Sequence, residues 1–365
     1  MEKFYFAPLE GISGYVYRKA YEHYFGGIDK YFIPFIKPNQ KGKLSSREKN
    51  DILPMHNQGM CAIPQILTNS AEDFIKTAER LGEYGYEEVN LNLGCPSKTV
   101  VSKGRGAGFL AEPDRLNAFL EELFEKTPIR ISVKTRIGKE SPEEWIRLLE
   151  IYNQYPMEEL IIHPRIQTDF YKNTPNLEMF EYAVKNSKNP LCYNGDICTK
   201  EEYEIICNRF QEVPSVMIGR GILKNPGLVR KIRQGIPVEK DRIRAFHDEL
   251  YREYQEVLFG EKTVLFKMKE LWFYMAPLFT QYEKYAKKIK KAEKLKLYEA
   301  VVDGRILEDD HTSGGCRMVL DYLGNRTSDS EKDKKSRNCR FGGTGDRSID
   351  HKCGTQKHHC KNPPV

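Results

Sequence analysis

Short stretches of β-forming residues recur along the first 235 residues of the chain, about once every 30 residues, the size of a βα unit. Helical patterns, with apolar residues three or four positions apart, lie between them. In one of these, Ser70 and Asp73 resemble a helix start, and Phe74, Ala78 and Leu81 then share one face. The predicted strands are Phe4–Ala7, Tyr31–Ile36, Ala62–Ile66, Glu88–Asn92, Ile131–Lys134, Glu159–His163, Leu191–Asn194 and Ser215–Ile218.

Eight strands, each followed by a helix, predict an α/β fold of the (β/α)₈ TIM-barrel type over residues 1–235. A doubly wound parallel sheet is the alternative. It is disfavoured because eight repeats exceed its usual number of strands, and because no GxGxxG motif follows the first strand.

The alternation of strands and helices ends near Gly235, and only helical patterns follow. Gly235–Val238 is the predicted linker, and residues 239–302 are predicted to form a smaller helical domain. Two of its helices are predicted over Lys262–Met275 and Gln281–Val301. The first helix, Asp241–Leu258, carries apolar residues at helical spacing, namely Ile243, Phe246, Leu250, Tyr254 and Val257.

Residues 303–365 differ in composition from the rest of the chain. Leu, Ile, Val and Phe make up eight of these 63 residues, so we expect a low-complexity, disordered tail. The cysteines and histidines of this segment contain no CxxC pair, and we therefore expect no metal site. They include Cys316, Cys339, Cys353, Cys360, His351, His358 and His359.

The 365 residues carry a net charge of +6, which permits an anionic partner without requiring one. The first residues contain no apolar stretch of signal-peptide length. The longest apolar run, Leu271–Phe279, is interrupted by Pro277 and is far shorter than the roughly 20 residues that span a bilayer. We therefore expect a cytoplasmic protein with reduced thiols and no membrane partner.

Polar residues and glycines follow the predicted strands at their carboxyl ends. In a barrel these ends meet on one face, where active sites are found. A single such residue is usually a turn or a cap, but seven strand ends of this kind indicate a functional site. They are Ala7-Pro8, Gln65, Asn92 with Cys95, Lys134 with Arg136, His163 with Arg165, Asn194-Gly195-Asp196 and Gly219-Arg220.

The last two strand ends suggest a phosphate site, formed by Asn194-Gly195-Asp196 and Gly219-Arg220. Glycines let backbone N–H groups approach an anion, and Arg220 can add a charge-assisted hydrogen bond. Two ordinary glycine turns are the alternative.

Lys134 and His163 follow neighbouring strands and are predicted to point inward at the same height. Two such groups, cationic or switchable, can stabilise negative charge on a ring, and a reduced flavin is such a ring. Gln65 can hydrogen-bond the polar edge of the ring. Each residue by itself is equally explained as a satisfied polar side chain.

Cys95 lies between a glycine and a proline at the end of the strand Glu88–Leu93, a position that packing explains poorly. The residues that follow it, 98–108, are glycine-rich and polar, and they predict a loop. An inert thiol, a nucleophile, a metal ligand and a general acid are the four possible roles. No Cys or His lies nearby at ligand spacing, and a nucleophile requires an adjacent base. A thiol of ordinary pKa, about 8.5, stays protonated at neutral pH and can protonate a developing carbanion. Reduction of an activated C=C bond requires such a donor beside a hydride source.

Four lysines are predicted to share one face of the last helix, flanked by Tyr282 and Tyr285. This basic ridge consists of Lys284, Lys287, Lys288 and Lys291, and Lys290, Lys294 and Lys296 are predicted on the same helix. On these residues alone, a solvated helix face is the simpler interpretation. Basic charge beside aromatic rings is also typical of RNA-binding surfaces.

Over about residues 1–300, the motifs resemble those of the tRNA-dihydrouridine synthases. The most specific is Asn-Leu-Asn-Leu-Gly-Cys-Pro at 90–96. The others are Ala-Pro-Leu-Glu-Gly-Ile-Ser-Gly at 7–14 with Tyr17-Arg18, Pro64-Gln65, Gly-Arg-Gly-Ala-Gly-Phe-Leu at 104–110, Ser-Val-Lys-Thr-Arg at 132–136, Ile-His-Pro-Arg at 162–165, Asn-Gly-Asp-Ile at 194–197 and Ile-Gly-Arg-Gly at 218–221. Pro164 departs from the glycine often found there, so the loop that carries Arg165 is expected to differ. The tail has no counterpart in the family pattern.

The resemblance implies an enzyme that reduces uridine in tRNA to dihydrouridine with FMN, which NADPH reduces. We expect it to be a monomer. Hydride would reach carbon-6 of uracil while Cys95, carried by a mobile loop through Gly108, protonates carbon-5. Asn92 and Arg165 would orient the flavin or the uracil. The helical domain would grip the tRNA through the basic ridge, and the target base would have to flip out. FMN would be bound by Pro8, Leu9, Glu10, Gln65, Asn92, Lys134 and His163, and its phosphate end by Asn194, Gly195, Asp196, Gly219 and Arg220.

Two other functions stay open. One is an FMN barrel of the dihydroorotate-dehydrogenase or ene-reductase kind that acts on a small molecule, and the lysine-rich helices argue against it. The other is a catalytically silent RNA-binding barrel. The intact set of Cys95, Lys134, His163 and Arg220 argues against that function.

Overall fold

The computed structural model describes residues 1–38, 44–280 and 282–308, and of 305–308 it describes the backbone. Eight parallel strands form a closed barrel in which each strand pairs with the next and β8 pairs with β1. The strands are β1 (Lys3–Phe6), β2 (Lys30–Ile36), β3 (Ala62–Ile66), β4 (Glu88–Leu93), β5 (Arg130–Gly138), β6 (Leu160–Ile166), β7 (Leu191–Tyr193) and β8 (Ser215–Ile218). The predicted barrel is confirmed, and the doubly wound alternative is wrong because that sheet would be open.

Fourteen α-helices lie within the described residues, and they cover the barrel or follow it. They are α1 (Tyr15–Tyr24), α2 (Ser46–Ile52), α3 (Ala71–Glu83), α4 (Lys98–Val101), α5 (Pro113–Lys126), α6 (Glu144–Tyr152), α7 (Leu177–Asn186), α8 (Lys200–Arg209), α9 (Arg220–Lys224), α10 (Leu228–Gln234), α11 (Lys240–Val257), α12 (Glu261–Met275), α13 (Tyr282–Lys291) and α14 (Leu295–Glu308). Helix α3 begins as predicted, since the Ser70 hydroxyl accepts from the Asp73 N–H at 3.3 Å.

The barrel interior is filled by its own cluster of buried side chains. Because side chains alternate along a strand, one set points into the barrel and the other into the layer between strands and helices. The interior set is Tyr5, Ala7, Phe32, Ile63, Ile161, Cys192 and Met217. Polar residues occupy the two ends of this apolar cluster. The amino-terminal end holds an ion pair of the buried Glu88 with the partly buried Lys30, at 2.7 Å.

Helix α11 packs against α1 through Phe246, whose ring lies 5.2 Å from that of Phe25 and 5.5 Å from that of Tyr17, between centroids. Four of the five apolar residues predicted for this helix are buried. Val257 is the exception, at 45% exposed, because the last turn of α11 reaches solvent. The separate helical domain over residues 239–302 stays a prediction.

The single helix predicted over Gln281–Val301 is wrong. The chain forms α13 and α14 instead, with a break after Lys291. The break turns α14 so that the buried Tyr298 hydroxyl meets Trp272 Nε1 at 2.8 Å and His247 Nε2 at 2.5 Å. Helix α14 also runs to Glu308, past the boundary predicted at residue 303.

The predicted tail from residue 309 onward, with its cysteines and histidines, lies outside the described residues. Within the described part of the chain, no helix has both the length and the apolar character that a membrane crossing requires.

Candidate active site

A chain of buried hydrogen bonds leads to Cys95 at the carboxyl end of β4. The backbone N–H groups of Gly94 and Cys95 donate to Asn92 Oδ1 at 3.1 and 3.0 Å. Asn92 Nδ2 donates to Gln65 Oε1 at 2.7 Å. Gln65 Nε2 in turn donates to Asn90 Oδ1 at 2.7 Å. Asn90 Nδ2 completes the chain by donating to Ser132 Oγ at 3.0 Å.

The direction of every amide in this chain is set at its Cys95 end. A backbone N–H can only donate, so Asn92 must present its oxygen to Cys95 and its nitrogen to Gln65. Gln65 and Asn90 must then follow in the same sense. Because Gln65, Asn90 and Ser132 are fully buried, a reversed amide would leave groups unpaired away from water. The amide chain therefore fixes the turn that carries Cys95 relative to the barrel interior.

The residues that follow Cys95 are packed, and the polar loop predicted for 98–108 is wrong. They form α4 and a 3₁₀ turn, Gly106–Ala111, in which Gly106 to Leu110 are buried. The Ala107 N–H donates to the Cys95 carbonyl oxygen at 3.1 Å. A Cβ on Gly106 would lie 2.8 Å from that oxygen, and Gly106 has a φ of +55°. The glycines that suggested a loop thus permit close packing against Cys95.

Burial raises the pKa of the Cys95 thiol, although a backbone hydrogen bond from Ser97 and the cations of Lys37 and Arg136 act in the opposite direction. The thiol therefore stays protonated at neutral pH. Nucleophiles and metal ligands require the thiolate, so among the four candidate roles the site favours proton donation or inertness. The Cys95 side chain is half-buried and packs against an apolar cluster that includes Leu67 and Val100.

Arg136 joins the Cys95 turn to the segment after β6. Its Nε donates to the Gly94 carbonyl at 3.0 Å, and its Nη1 and Nη2 donate to the carbonyls of Ile166 and Phe170 at 2.8 Å each. The side chain is 1% exposed, so water cannot replace these bonds. Arg136 was noted among the strand ends, yet its sequence position gave no indication of this role.

Lys134 and His163 are offset by two residues along neighbouring strands. The register pairs Lys134 with Ile161 and Arg136 with His163, and β5 continues four residues beyond its predicted end at Lys134. Burial, together with the neighbouring Arg136 cation, lowers the pKa of Lys134 to about 8. Lys134 therefore keeps most of its charge at pH 7 and loses it in mildly alkaline solution.

His163 is a neutral imidazole in this site. Burial and the cations around it lower its pKa well below the usual value. Arg165 Nη1 lies 3.1 Å from His163 Nε2. A guanidinium group can only donate, so Nε2 accepts and the ring proton resides on Nδ1. His163 can donate one hydrogen bond to a ligand. Of the two groups predicted to carry positive charge, only Lys134 carries it.

Asp196 lies between two arginines at the ends of β6 and β8. Arg165 donates to its two carboxylate oxygens at 3.1 and 2.5 Å, and Arg220 donates to one of them. Burial opposes ionisation, but the Arg165 hydrogen bonds outweigh it and lower the pKa of Asp196. Arg165 lies on β6 itself, so the loop expected to carry it is a strand that extends to Ile166.

The two glycine segments predicted to bind phosphate lie against each other. A Cβ on Gly221 would collide with the Ile197 carbonyl, and a Cβ on Gly195 would collide with the Tyr193 hydroxyl. Asn194 Nδ2 donates to the Met217 carbonyl at 2.8 Å and ties β7 to β8. The glycines are thus required for packing, and the same packing leaves Arg220 at the first position of α9, about one-third exposed.

The segment Pro8-Leu9-Glu10 follows β1 at the same mouth. Pro8 and Leu9 are half-buried and Glu10 is exposed. Ser13 fixes the turn, since its hydroxyl accepts from the Leu9 N–H at 2.7 Å. Glu10 pairs with Arg47 at 2.8 Å.

Tyr171 is a mouth residue that sequence reasoning missed. Its half-exposed ring lies 4.6 Å from the Arg220 guanidinium and 5.5 Å from that of Arg136, measured to the ring centroid. The preceding Phe170 has a φ of +51° and is the one non-glycine residue in the described chain with a positive φ. Such backbone strain often accompanies functional sites, but no pattern in the sequence signals it.

The basic ridge lies on α13, where Lys284, Lys287, Lys288 and Lys291 are all exposed. Tyr285 lies beneath it, 5.5 Å from the ammonium groups of Lys284 and Lys288. Lys294 and Lys296 are not on this helix, because α13 ends at Lys291.

The fold and the residues at its mouth define a barrel enzyme whose chemistry is carried by the carboxyl ends of the strands. The family model described as dihydrouridine synthase matches residues 6–309. The chain belongs to the dihydrouridine synthase family and is a flavin-dependent oxidoreductase.

Curated relatives have about a quarter of their residues in common with this chain. The tRNA-dihydrouridine synthase B of Pasteurella multocida is 27% identical over 244 residues, which cover 66% of this chain and 71% of that protein. The tRNA-dihydrouridine(16) synthase of Aquipseudomonas alcaligenes is 28% identical, over 62% and 73% of the two chains. Among solved structures, an old yellow enzyme homologue from Zymomonas mobilis gives a TM-score of 0.48 at 14% identity, over 67% of this chain and 92% of that one.

Proposed function

We propose that this protein reduces uridine in tRNA to dihydrouridine, with FMN bound at the barrel mouth and NADPH as the reductant. The main support is Cys95, a protonated thiol held by the amide chain at the end of β4 in a chain of this family. The thiol is on the same face as Lys134 and His163, and it interacts electrostatically with Lys134.

The residues at the mouth are compatible with FMN. Arg220 offers a partly exposed cation beside Gly195 and Gly219, where a phosphate group can approach the backbone. Lys134 supplies positive charge and His163 Nδ1 supplies a hydrogen-bond donor for the ring, with Gln65, Asn92 and the segment Pro8, Leu9 and Glu10 around it. Asp196 acts by holding Arg220 and Arg165, since a carboxylate would repel the phosphate. When bound, FMN supplies hydride to carbon-6 of uracil.

Cys95 donates the proton to carbon-5 in this proposal. Its raised pKa keeps the proton available, and the amide chain fixes its position. Arg165 is 2% exposed and already donates to His163, to both Asp196 carboxylate oxygens and to the Asn173 carbonyl, so it acts by orienting those groups. Its proposed contact with the substrate would be limited to the N–H that these bonds leave over.

The tRNA would be held by the basic ridge of Lys284, Lys287, Lys288 and Lys291, with the target uridine flipped into the mouth. We infer that the protein works as a monomer in the cytoplasm, where its substrate and NADPH are both available.

The test is dihydrouridine formation in unmodified tRNA transcripts by purified protein with FMN and NADPH, measured by mass spectrometry of the digested RNA. We expect a gain of two mass units at one uridine, which depends on both cofactors. Protein that takes up no flavin, or that binds flavin and leaves tRNA unchanged, would refute the proposal. Turnover of small enones without turnover of tRNA would support the ene-reductase alternative.

A further inference from the structure

Helix α12 carries two exposed phenylalanines that the proposed chemistry does not use. Phe266 is 70% exposed and Phe273 is 76% exposed. They are seven residues apart, or about two turns, so they lie on the same face of the helix. The opposite face is fully packed, with Val264, Leu265, Met268, Leu271, Trp272 and Met275 buried.

Lysines lie between and beside these rings. Lys262 precedes Phe266 by four residues, and Lys269 lies three residues after it, so both occupy the same side of α12. Glu270, four residues after Phe266, lies on this side too, and its carboxylate pairs with Lys267 at 3.0 Å. The Lys269 ammonium is 5.9 Å from the centroid of the Phe266 ring and donates to the Lys290 carbonyl of α13 at 3.0 Å. We call Lys262, Phe266, Lys269 and Phe273 the α12 stripe. It is joined through Lys290 to the helix that carries the basic ridge.

The flank of α12 next to the stripe borders the barrel mouth. Lys267 donates a hydrogen bond to the Gly11 carbonyl, in the segment after β1. The Tyr274 hydroxyl interacts electrostatically with Arg220 and Tyr171 at the mouth. A ligand on the α12 stripe would therefore lie between the basic ridge and the candidate active site.

The charge pattern distinguishes between possible occupants of the stripe. Two copies of this chain meeting at the stripe would bring like-charged lysines together, which opposes association. Folded RNA offers the complementary chemistry, since phosphates pair with lysines and unstacked bases stack on aromatic rings. Fully paired RNA buries the faces of its bases and cannot use the rings.

We propose that the α12 stripe binds unpaired bases of the tRNA by stacking on Phe266 and Phe273, while the basic ridge holds the phosphates. The inference rests on the proposed function, in which tRNA is the substrate. It adds a base-reading surface to what would otherwise be purely electrostatic binding.

The test compares Phe266→Ala/Phe273→Ala with the unaltered protein in salt titrations of RNA binding. The probes are a tRNA transcript, a single-stranded 12-mer and a paired duplex of the same length. We expect about a tenfold loss of affinity per ring for the tRNA and the single strand, with the salt slope unchanged because stacking releases no counterions. Affinity for the duplex should not change.

Two matched variants control the experiment. Ile146→Ala/Ile205→Ala removes exposed apolar side chains on α6 and α8, 43% and 62% exposed, and should leave all three affinities unchanged. Phe266→Tyr/Phe273→Tyr keeps the rings and should keep the affinity for tRNA.

An unchanged tRNA affinity in the double alanine variant overturns the inference, and salt-dependent tRNA binding by the same protein would leave the proposed function intact. An equal loss on tRNA and duplex also overturns it, as does a dimer that the alanine changes dissociate in sedimentation. Absence of tRNA binding by the unaltered protein would defeat both the inference and the proposed function.

Discussion

At the scale of single residues, different side chains of the candidate site provide the positive charge and the proton. Lys134 carries positive charge with a pKa near 8, whereas the Cys95 thiol keeps its proton because burial raises its pKa. His163 stays neutral because burial and the surrounding cations lower its pKa, and the Arg165 contact at Nε2 places its ring proton on Nδ1. Each of these states follows from burial and from neighbours on other strands.

Replacing Cys95 with alanine removes the proposed proton donor and leaves the cation and the imidazole in place. We expect Cys95→Ala to retain FMN and its reduction by NADPH, while dihydrouridine formation falls by about 10²-fold or more. Stopped-flow absorbance and mass spectrometry of the tRNA measure the two steps. Cys61→Ala, at the opposite end of the barrel, should leave both steps unchanged. A Cys95→Ala protein with full turnover would exclude the acid role.

The pKa of Lys134 predicts an alkaline limit to activity. Below about pH 8 the side chain is charged, and above it the charge is lost, so the rate of dihydrouridine formation should fall as the pH rises through about 8. Lys134→Arg keeps the charge at these pH values and should move the limit upward, towards the titration of Cys95. An identical alkaline limb in both proteins would show that another group sets it.

The amide chain makes Asn90 a positioning residue for Cys95. Asn90→Leu removes a donor and an acceptor and leaves the Gln65 Nε2 group unpaired, so we expect about 1–3 kcal/mol loss of stability and a lower kcat at unchanged FMN affinity. Asn90→Asp keeps the acceptor for Gln65, and the Ser132 hydroxyl can rotate to donate, so it should recover much of the rate. The rate of alkylation of Cys95 by iodoacetamide provides an independent readout. Equal rates in Asn90→Leu and the unaltered protein would remove the positioning role.

At the scale of secondary-structure elements, the lengths of β5 and β6 determine the site. These strands extend four and three residues beyond their predicted ends and carry Arg136 and Arg165 as strand residues. Arg136 in turn clamps the Cys95 turn to the segment after β6. Polar residues at the ends of these strands hid their length, because hydrophobic periodicity marks only the part of a strand that packs in apolar surroundings.

Helix α13 should contribute most of the salt-dependent part of tRNA binding. Lys287→Glu/Lys288→Glu/Lys291→Glu reverses three exposed charges, so tRNA affinity and the slope of log Kd against log salt should both fall, with flavin content unchanged. Lys126→Glu/Lys185→Glu, on α5 and α7 of the barrel wall, serves as the control and should affect binding little. An unchanged slope in the triple variant would show that the basic ridge is only a solvated face.

At the scale of the whole molecule, the two ends of the barrel have different roles. The carboxyl end gathers the candidate catalytic groups, and the amino end closes with a buried polar network. There Lys30 pairs with Glu88, and Glu159 accepts from the Tyr5 and Ser215 hydroxyls at 3.0 and 2.6 Å. Groups at that end are far from the mouth, so changes there should affect stability more than chemistry.

Lys30→Met tests this division. The change leaves the buried Glu88 without its cation, so the free energy of unfolding in urea should fall by about 3–5 kcal/mol. Lys30→Met/Glu88→Leu removes both charges and should recover most of the loss. Lys126→Met breaks an exposed pair with Glu122 and should cost less than about 1 kcal/mol. Equal losses from Lys30→Met and Lys126→Met would show that the buried pair is energetically unimportant.

Local sequence pattern determined the barrel, its eight strands and the position of Cys95 at a strand end, since period-two and helical patterns are readable over short segments. The prediction from local pattern was wrong at 98–108, because glycine permits both loops and close packing. The helix predicted through Val301 failed for a related reason. Its break depends on Tyr298 reaching Trp272 and His247, which are distant in the chain.

The tertiary structure alone decided what the site residues do. The register between strands placed Arg136 opposite His163, and burial with neighbouring charges set the proton on Cys95, the charge on Lys134 and the neutrality of His163. The amide chain through Gln65 links residues that are 25 and 27 positions apart in the sequence. Hydrogen-bond direction and pKa depend on three-dimensional surroundings, and no local pattern of residues encodes them.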